Sequence, residues 1–274
     1  SWILLRGGHV FDPEDRGVAD VLILDGRILA VGAALPAPSG IGEGTVHDAR
    51  DRIVLPGLID GHIHAMGASG MGGPATRSTD LQIDRITSAS VTTVISPLGA
   101  DSLSRAIPAL LARAAALDAE GITALCYTGG WWHPVPTLTG NPQADVTFVD
   151  RIVGIKVALS EPLAPAYSLD DLCRLAHAAY TGGRLAGKQA VLHAHIGDHP
   201  AGLSPLQAVQ QQTGIPPDRL VATHVNRNPD LWQQAVEYAR SGGSIDLTAM
   251  QRPETRHPMA IQPAKAIREA LAAG

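Results

Sequence analysis

Ile152-Val153-Gly154-Ile155-Lys156-Val157-Ala158-Leu159 is an apolar run interrupted by a single lysine, and its reading decides the fold. A short, continuous apolar run makes a strand buried on both faces, as in a parallel sheet covered by helices. Similar runs recur at 53–63, 91–97, 122–128, 190–196, 220–225 and 244–248. Between them lie Ala- and Leu-rich helical patterns at 104–120, 169–180 and 229–241. The last begins Asn228-Pro229, a cap residue followed by proline at the first turn. Seven strand–helix units over ~220 residues predict an α/β fold of the (β/α)8 TIM-like barrel type rather than a doubly wound sheet. After 244–248 only one helical pattern, 263–272, precedes Gly274. The expectation is a barrel over 53–274 truncated before strand 8, since an open barrel leaves unpaired edges.

Upstream, Val21-Leu22-Ile23-Leu24-Asp25-Gly26-Arg27-Ile28-Leu29-Ala30-Val31-Gly32 places two apolar runs around Asp25-Gly26. That pair suits the positive φ angles of a tight hairpin. Residues 1–52 are therefore expected to form a small β domain, incomplete without C-terminal strands. Aromatics make up only 4% of the 274 residues, so the core must come from Leu, Ile, Val and Ala. A formal charge of −5 without a basic cluster argues against nucleic acid or an anionic membrane as partner. The opening Ser1-Trp2-Ile3-Leu4-Leu5-Arg6 lacks the pattern of a signal peptide, and no apolar stretch approaches the roughly 20 residues of a membrane span. Cys126 and Cys173 are read as buried free thiols. A cytoplasmic, reducing location is expected.

His62-Ile63-His64 closes the first barrel strand. Residues i and i+2 of a strand share a face, so both imidazoles point to the barrel mouth, where active sites of this fold lie. Lys156, His195 and His224 follow at or near the ends of the fourth, fifth and sixth strands. An isolated HxH or single histidine is more often a core or surface group than a ligand. Lys156 is harder to dismiss, because an unpaired lysine on a buried strand is costly. Beside metal it can lose its charge by taking up carbon dioxide, and the carbamate bridges two cations. Imidazole plus carboxylate-like oxygen suits zinc best, with other divalent ions open. His193, one layer deeper, is read as orienting a ligand or packing the core. His9, His47, His133, His177, His199 and His257 are not expected to bind metal.

With these residues in hand, the chain resembles the amidohydrolase superfamily, and within it the isoaspartyl (β-aspartyl) dipeptidases. The resemblance runs through residues 4–17, Pro56-Gly57-Leu58-Ile59-Asp60-Gly61-His62-Ile63-His64, Gly154-Ile155-Lys156, His195-Ile196-Gly197-Asp198 and Thr223-His224-Val225-Asn226-Arg227-Asn228. The last is the most specific. It implies two zinc ions per complete subunit, with His62 and His64 on the more buried ion and His195 and His224 on the more exposed one. A carbamylated Lys156 would bridge them with a hydroxide that attacks the amide. The family's proton-carrying aspartate would lie beyond Gly274, and Asp246 is not its equivalent, so no catalytic base is assigned. The resemblance also implies a homo-oligomer.

The substrate clamp departs from that pattern. Expected substrate-binding positions are Ser69, Gly70, Met71, Ala100, Trp131, Leu163 and Arg227. Met71 stands where the family has the glutamate that holds an α-amino group, Ala100 for a threonine, Trp131 for a tyrosine and Leu163 near a second arginine. Arg227 is kept, and Glu161 could replace part of the lost charge. The function expected is zinc-dependent hydrolysis of a β-aspartyl dipeptide or related amide. The alternatives are an N-acyl amino acid or cyclic amide as substrate, or an inactive, truncated metal-binding form.

Overall fold

The structure is a computed structural model that describes residues 1–67, 70–250 and 258–273. The chain divides into two compact units, Ser1–Leu58 and Ile59–Gly274.

The first unit is a five-stranded sheet of β1 (Trp2–Asp12), β2 (Glu14–Leu24), β3 (Arg27–Gly32), β4 (Gly44–Asp48) and β5 (Ile53–Val54), ordered β3-β2-β1-β4 with β5 also on β1. β2 and β3 pair antiparallel across Asp25 and Gly26, both at positive φ (46° and 76°), as the Asp-Gly pair predicts. Val10, Ala19 and Val21 make its small core.

The second unit carries a seven-stranded sheet in strict chain order: β6 (Leu58–Asp60), β7 (Val91–Ser96), β8 (Thr123–Gly129), β9 (Ile152–Leu159), β10 (Val191–Ile196), β11 (Leu220–Thr223) and β12 (Ser244–Asp246). Neighbours from β7 to β12 pair parallel. Parallel neighbours need crossovers, and helices supply them: α1 (Ile83–Thr87), α2 (Ile107–Ala119), α3 (Pro142–Phe148), α4 (Leu169–Leu185), α5 (Ser204–Thr213) and α6 (Pro229–Arg240), with α7 (Pro263–Ala272) after β12. Asn228 caps α6 by accepting from Leu231 N at 2.9 Å. Sequential parallel strands with helical crossovers are the barrel topology expected.

One strand differs from expectation. Residues 53–63 are not a single barrel strand: Ile53–Val54 pairs with β1, and the barrel sheet begins with Leu58–Asp60. Pro56-Gly57 breaks the run between the two.

The core of the second unit is aliphatic. Val94, Leu110, Leu117, Ile155, Val157, Leu192, Ala194, Ile196 and Ala222 are all buried. Truncating one of the larger side chains to alanine costs about 2–5 kcal/mol. Cys126 and Cys173 are buried and unpaired, and burial pushes the Cys126 thiol up to about 12. Among the described residues, no helix is long and apolar enough to cross a membrane.

Candidate metal centre

The ladder places the histidines in layers. His193 on β10 stands opposite Lys156 on β9, and Gly129 on β8 opposite Lys156 on its other side. Gly129 adopts φ 90°, and a Cβ there would lie 2.3 Å from the Lys156 carbonyl oxygen, so glycine is required for this approach. One step toward the strand ends, His195 stands opposite Ala158 and Thr223, and Thr223 opposite Asp246.

The side chains converge. His62 Nδ1 lies 2.8 Å from His193 Nε2 and 3.4 Å from Lys156 Nζ. Ring centroids are 5.3 Å apart for His62 and His64, 4.8 Å for His62 and His224, and 4.6 Å for His195 and His224. All five expected residues, His62, His64, Lys156, His195 and His224, therefore belong to one cluster. His64 donates Nδ1–H to the Pro97 carbonyl at 3.3 Å, which leaves its lone pair on Nε2. His224 shares a short hydrogen bond between Nδ1 and Thr248 Oγ1. Its φ of 70° is left-handed, unusual for a residue with a side chain, so the surroundings must hold it there. Asn226 provides that hold: its amide receives Thr248 N at 2.9 Å and donates to the carbonyls of Thr248 and Ile261.

Burial sets the electrostatics. Lys156 is 0% exposed, and among the described residues no carboxylate comes within 4.0 Å of its Nζ. Burial drives its pKa well below the ordinary lysine value, against a weaker opposing pull from Asp246. Burial first, then the Lys156 charge, lowers His62 and His193 far below the usual imidazole range and brings His64 to about 4 and His195 to about 2. His224 is lowered by burial and then by His195 and Lys156. The cluster is thus a set of neutral imidazoles around an amine that sheds its proton. Neutral imidazole nitrogens and a deprotonated, carboxylatable amine are donors a divalent cation accepts, so the residues present fit a metal.

Two residues outside the expected set join the cluster. Ligand atoms of His62, His193 and Asp246 all lie within 4.8 Å of one another, a spacing no other trio of His, Cys, Asp or Glu reaches among the described residues. Burial raises the Asp246 pKa, while Thr223 donates a short hydrogen bond to its carboxylate. Tyr127 stacks on His193 at 4.6 Å. The His193-Ala194-His195 alternation was the sequence signal for His193; Asp246 carried none.

The expected substrate positions divide. Trp131 lies 4.6 Å from the His195 ring, and Arg227 Nη2 lies 3.4 Å from His195 Nε2. Ala100 and Gly70 are half-buried, whereas Met71 and Leu163 are 55% and 64% exposed. Ser69 lies outside the described residues, as does His257. Glu161 Oε2 sits 3.5 Å from His195 Nε2.

No family model matches the sequence. Among curated proteins, dihydroorotase of Geobacter sulfurreducens is 45% identical over 64 residues, and dihydropyrimidinase of Rattus norvegicus is 43% identical over 63. These matches cover 23% of this chain but only 14% and 12% of the relatives. N-isopropylammelide isopropylaminohydrolase of Burkholderia multivorans shares the fold at a TM-score of 0.60 and 16% identity, covering 98% of this chain and 72% of that one. The β-aspartyl dipeptidase of Fervidobacterium islandicum AW-1 superposes at a TM-score of 0.92 with 32% identity, over 99% of this chain and 73% of that one. Its complex with a β-Asp-Leu dipeptide gives 0.90 at the same identity, over 99% and 70%. A likeness of that depth, over 99% of this chain, shows that the chain belongs to the β-aspartyl dipeptidase family of the amidohydrolase superfamily.

Proposed function

We propose that this chain forms the metal cradle of a hydrolase that cleaves a β-aspartyl dipeptide or a related amide bond. One observation carries the reading: a fully buried lysine without a carboxylate partner, ringed by five neutral histidines at the ends of parallel strands. Core packing gives no reason to bury that amine. His62, His64, Lys156, His195 and His224 would hold two divalent ions, zinc in this reading. Bound there, the ions polarise the scissile carbonyl and lower the pKa of water.

The chain's own groups do the rest. With its pKa lowered by burial, the Lys156 amine would add through its lone pair to carbon dioxide, forming one N–C bond and releasing one proton to solvent, and the carbamate would offer oxygen donors to a divalent ion. His64, tied by Nδ1 to Pro97, keeps Nε2 aimed as a donor. Arg227, anchored on Asp198 at 3.2 Å, presents its remaining N–H groups to a substrate carboxylate. Trp131 packs against the His195 ring, with centroids 4.6 Å apart, and would exclude water from that side. The proton carrier is not assigned to a residue of this chain.

A second reading, a cyclic amide or N-acyl amino acid as substrate, is favoured by Trp131 beside His195, by exposed Met71 in place of an acid, and by curated relatives named dihydroorotase and dihydropyrimidinase. We also read the protein as a cytoplasmic homo-oligomer. The deciding experiment measures bound metal and turnover on a panel of β-aspartyl dipeptides, N-acyl amino acids and cyclic amides. Protein with no bound divalent ion and no turnover would end the hydrolase reading. Turnover confined to the dipeptides would remove the second.

A further inference from the structure

A cavity of about 310 Å³ opens where β10 and β11 begin, at the end of those strands away from His195 and His224. Ala190, one residue before β10, and Arg219, one before β11, belong to its wall. His195 stands ~16 Å further along β10, and no residue of the histidine cluster lines the cavity.

The fold holds both walls in place. Lys188 N donates to the Gly183 carbonyl at 2.8 Å, and its Nζ donates to the carbonyls of Val146, Val149 and Ile152 at 3.0, 2.7 and 3.3 Å. A Cβ on Gly183 would lie 2.8 Å from the Ala190 Cβ, so glycine lets α4 press against the entry to β10. Opposite, Arg219 N closes a turn on the Pro216 carbonyl at 2.9 Å, and the Tyr238 hydroxyl donates to the Leu220 carbonyl at 2.9 Å.

The lining carries Arg184, Lys188 and Arg219 and no carboxylate, in a chain whose formal charge is −5. Two acids bear on these cations: Asp218 pairs with Arg219 at 3.2 Å, and Asp150 attracts the Lys188 charge. Arg184 differs. It is exposed, and among the described residues its guanidinium makes no hydrogen bond or ion pair. Nor does α4 need it as a cap, because the last-turn carbonyls of Gly182, Gly183 and Arg184 already receive Ala186 N, Lys188 N and Gly187 N. The Tyr180 hydroxyl and the Gln189 side-chain amide, both in the lining, also make no hydrogen bond among the described residues. Unpaired donors around a cationic hollow suit an anion with several oxygens, and guanidinium forks match phosphate. The volume is that of a small-molecule pocket and exceeds what a bare phosphate fills. The Tyr180 ring and Pro216 give the remainder an apolar side.

We infer that this cavity binds the dianionic phosphate of a small phosphate ester, with Arg184 and Arg219 on its oxygens, Lys188 supplying fixed charge, and Tyr180 and Pro216 against the organic group. The site stands apart from the histidine cluster and does not rest on the hydrolase reading.

Isothermal titration calorimetry of the metal-loaded full chain tests it with phenyl phosphate, inorganic phosphate, benzoate and benzyl alcohol. Phenyl phosphate should bind saturably, ~tenfold or more tighter than either inorganic phosphate or benzoate, and more weakly as salt is added. Benzyl alcohol should give no saturable heat. Arg184→Gln should weaken phenyl phosphate ~tenfold or more at unchanged melting temperature, since that guanidinium holds no part of the fold. Lys156→Met, which removes the centre of the histidine cluster, should leave this binding intact. Absence of saturable binding by the unaltered protein, or undiminished binding by Arg184→Gln, would overturn the site. Binding that vanishes in Lys156→Met and survives Arg184→Gln would place the phosphate at the histidines and overturn it as well. Benzoate as tight as phenyl phosphate would overturn the choice of a dianion, and inorganic phosphate as tight as phenyl phosphate would remove the organic group from the assignment.

Discussion

Two sets of residues in the barrel unit are built on opposite principles. The cradle lies on or just after strands, and register fixes its strand-borne members against two neighbours: Lys156 between Gly129 and His193, His195 between Ala158 and Thr223. The rim is built from connecting segments, and its members range from Glu161, beside His195, to the exposed Met71 and Leu163. A ladder transmits any shift of one strand to the next, so cradle residues are interdependent. Residues on connections are less constrained by register, although Trp131, Arg227 and Glu161 each touch His195. Under the proposed assignments, the contrast lets a ligand set carried largely by strands be kept while substrate positions on the connections differ.

Removing the cradle's centre should have the largest effect. Lys156→Met keeps the length of the side chain, discards its amine and adds no charge. Loss of outer partners alone costs roughly 10–100-fold in metal affinity or activity, so loss of the group proposed to bridge two ions should exceed that, with bound metal falling below one ion per chain. The metal-free variant should melt higher than the metal-free parent, since a buried amine with a lowered pKa is destabilising at neutral pH. Retention of full metal content would detach Lys156 from the centre. His193→Phe sits one step out: it preserves the packing against Tyr127 and deletes the contact with His62 Nδ1. Metal affinity should fall by about 10- to 100-fold with little change in melting temperature.

Acid should separate the two regions next. Each cluster histidine has a folded pKa below its unfolded value, so as pH falls below about 6.5 the unfolded chain takes up protons that the folded chain refuses. Stability conferred by these groups is complete above that pH and is lost toward the folded pKa, about 4 for His64 and about 2 for His195. In this window each contributes a slope of about 1.4 kcal/mol per pH unit. Asp246, raised by burial, works the other way, but it is one group against five. Denaturant titrations of metal-free protein between pH 6.5 and 4.5 should show stability falling steeply. A flat profile would mean that the imidazoles are solvated and the cradle is open.

Much of the cradle was legible because strand chemistry has a period. A lone lysine in an apolar run announces itself, and His193 and His195 alternate along β10; His62 and His64, expected on a strand, instead follow β6 in irregular backbone and still meet at 5.3 Å. The start of the barrel sheet was not legible: Ile53–Val54 is as apolar as Leu58–Asp60, and only its pairing partner, β1, assigns it to the first unit. The place of Asp246 in the cluster, and the contact of Glu161 with His195, escaped for a related reason. Nothing local distinguishes an acid that will lie against Thr223 or His195 from one in solvent, because the partner is remote in sequence. The left-handed backbone of His224 is likewise imposed by Asn226 and the segment after β12 rather than by its own residue type.

The smallest effect on the fold, and the sharpest test of the contrast, comes from restoring a charge to the rim. Met71→Glu replaces a side chain that is already more than half exposed, so stability should change by no more than about 0.5 kcal/mol. Bound metal should be unchanged, because no cradle ligand relies on Met71. We expect its effect in substrate choice: a carboxylate at this proposed substrate position should raise kcat/KM for ammonium-bearing amides relative to N-acylated ones, mainly through KM. If bound metal falls in the Met71→Glu variant, rim and cradle are coupled, and the separation of the two regions fails.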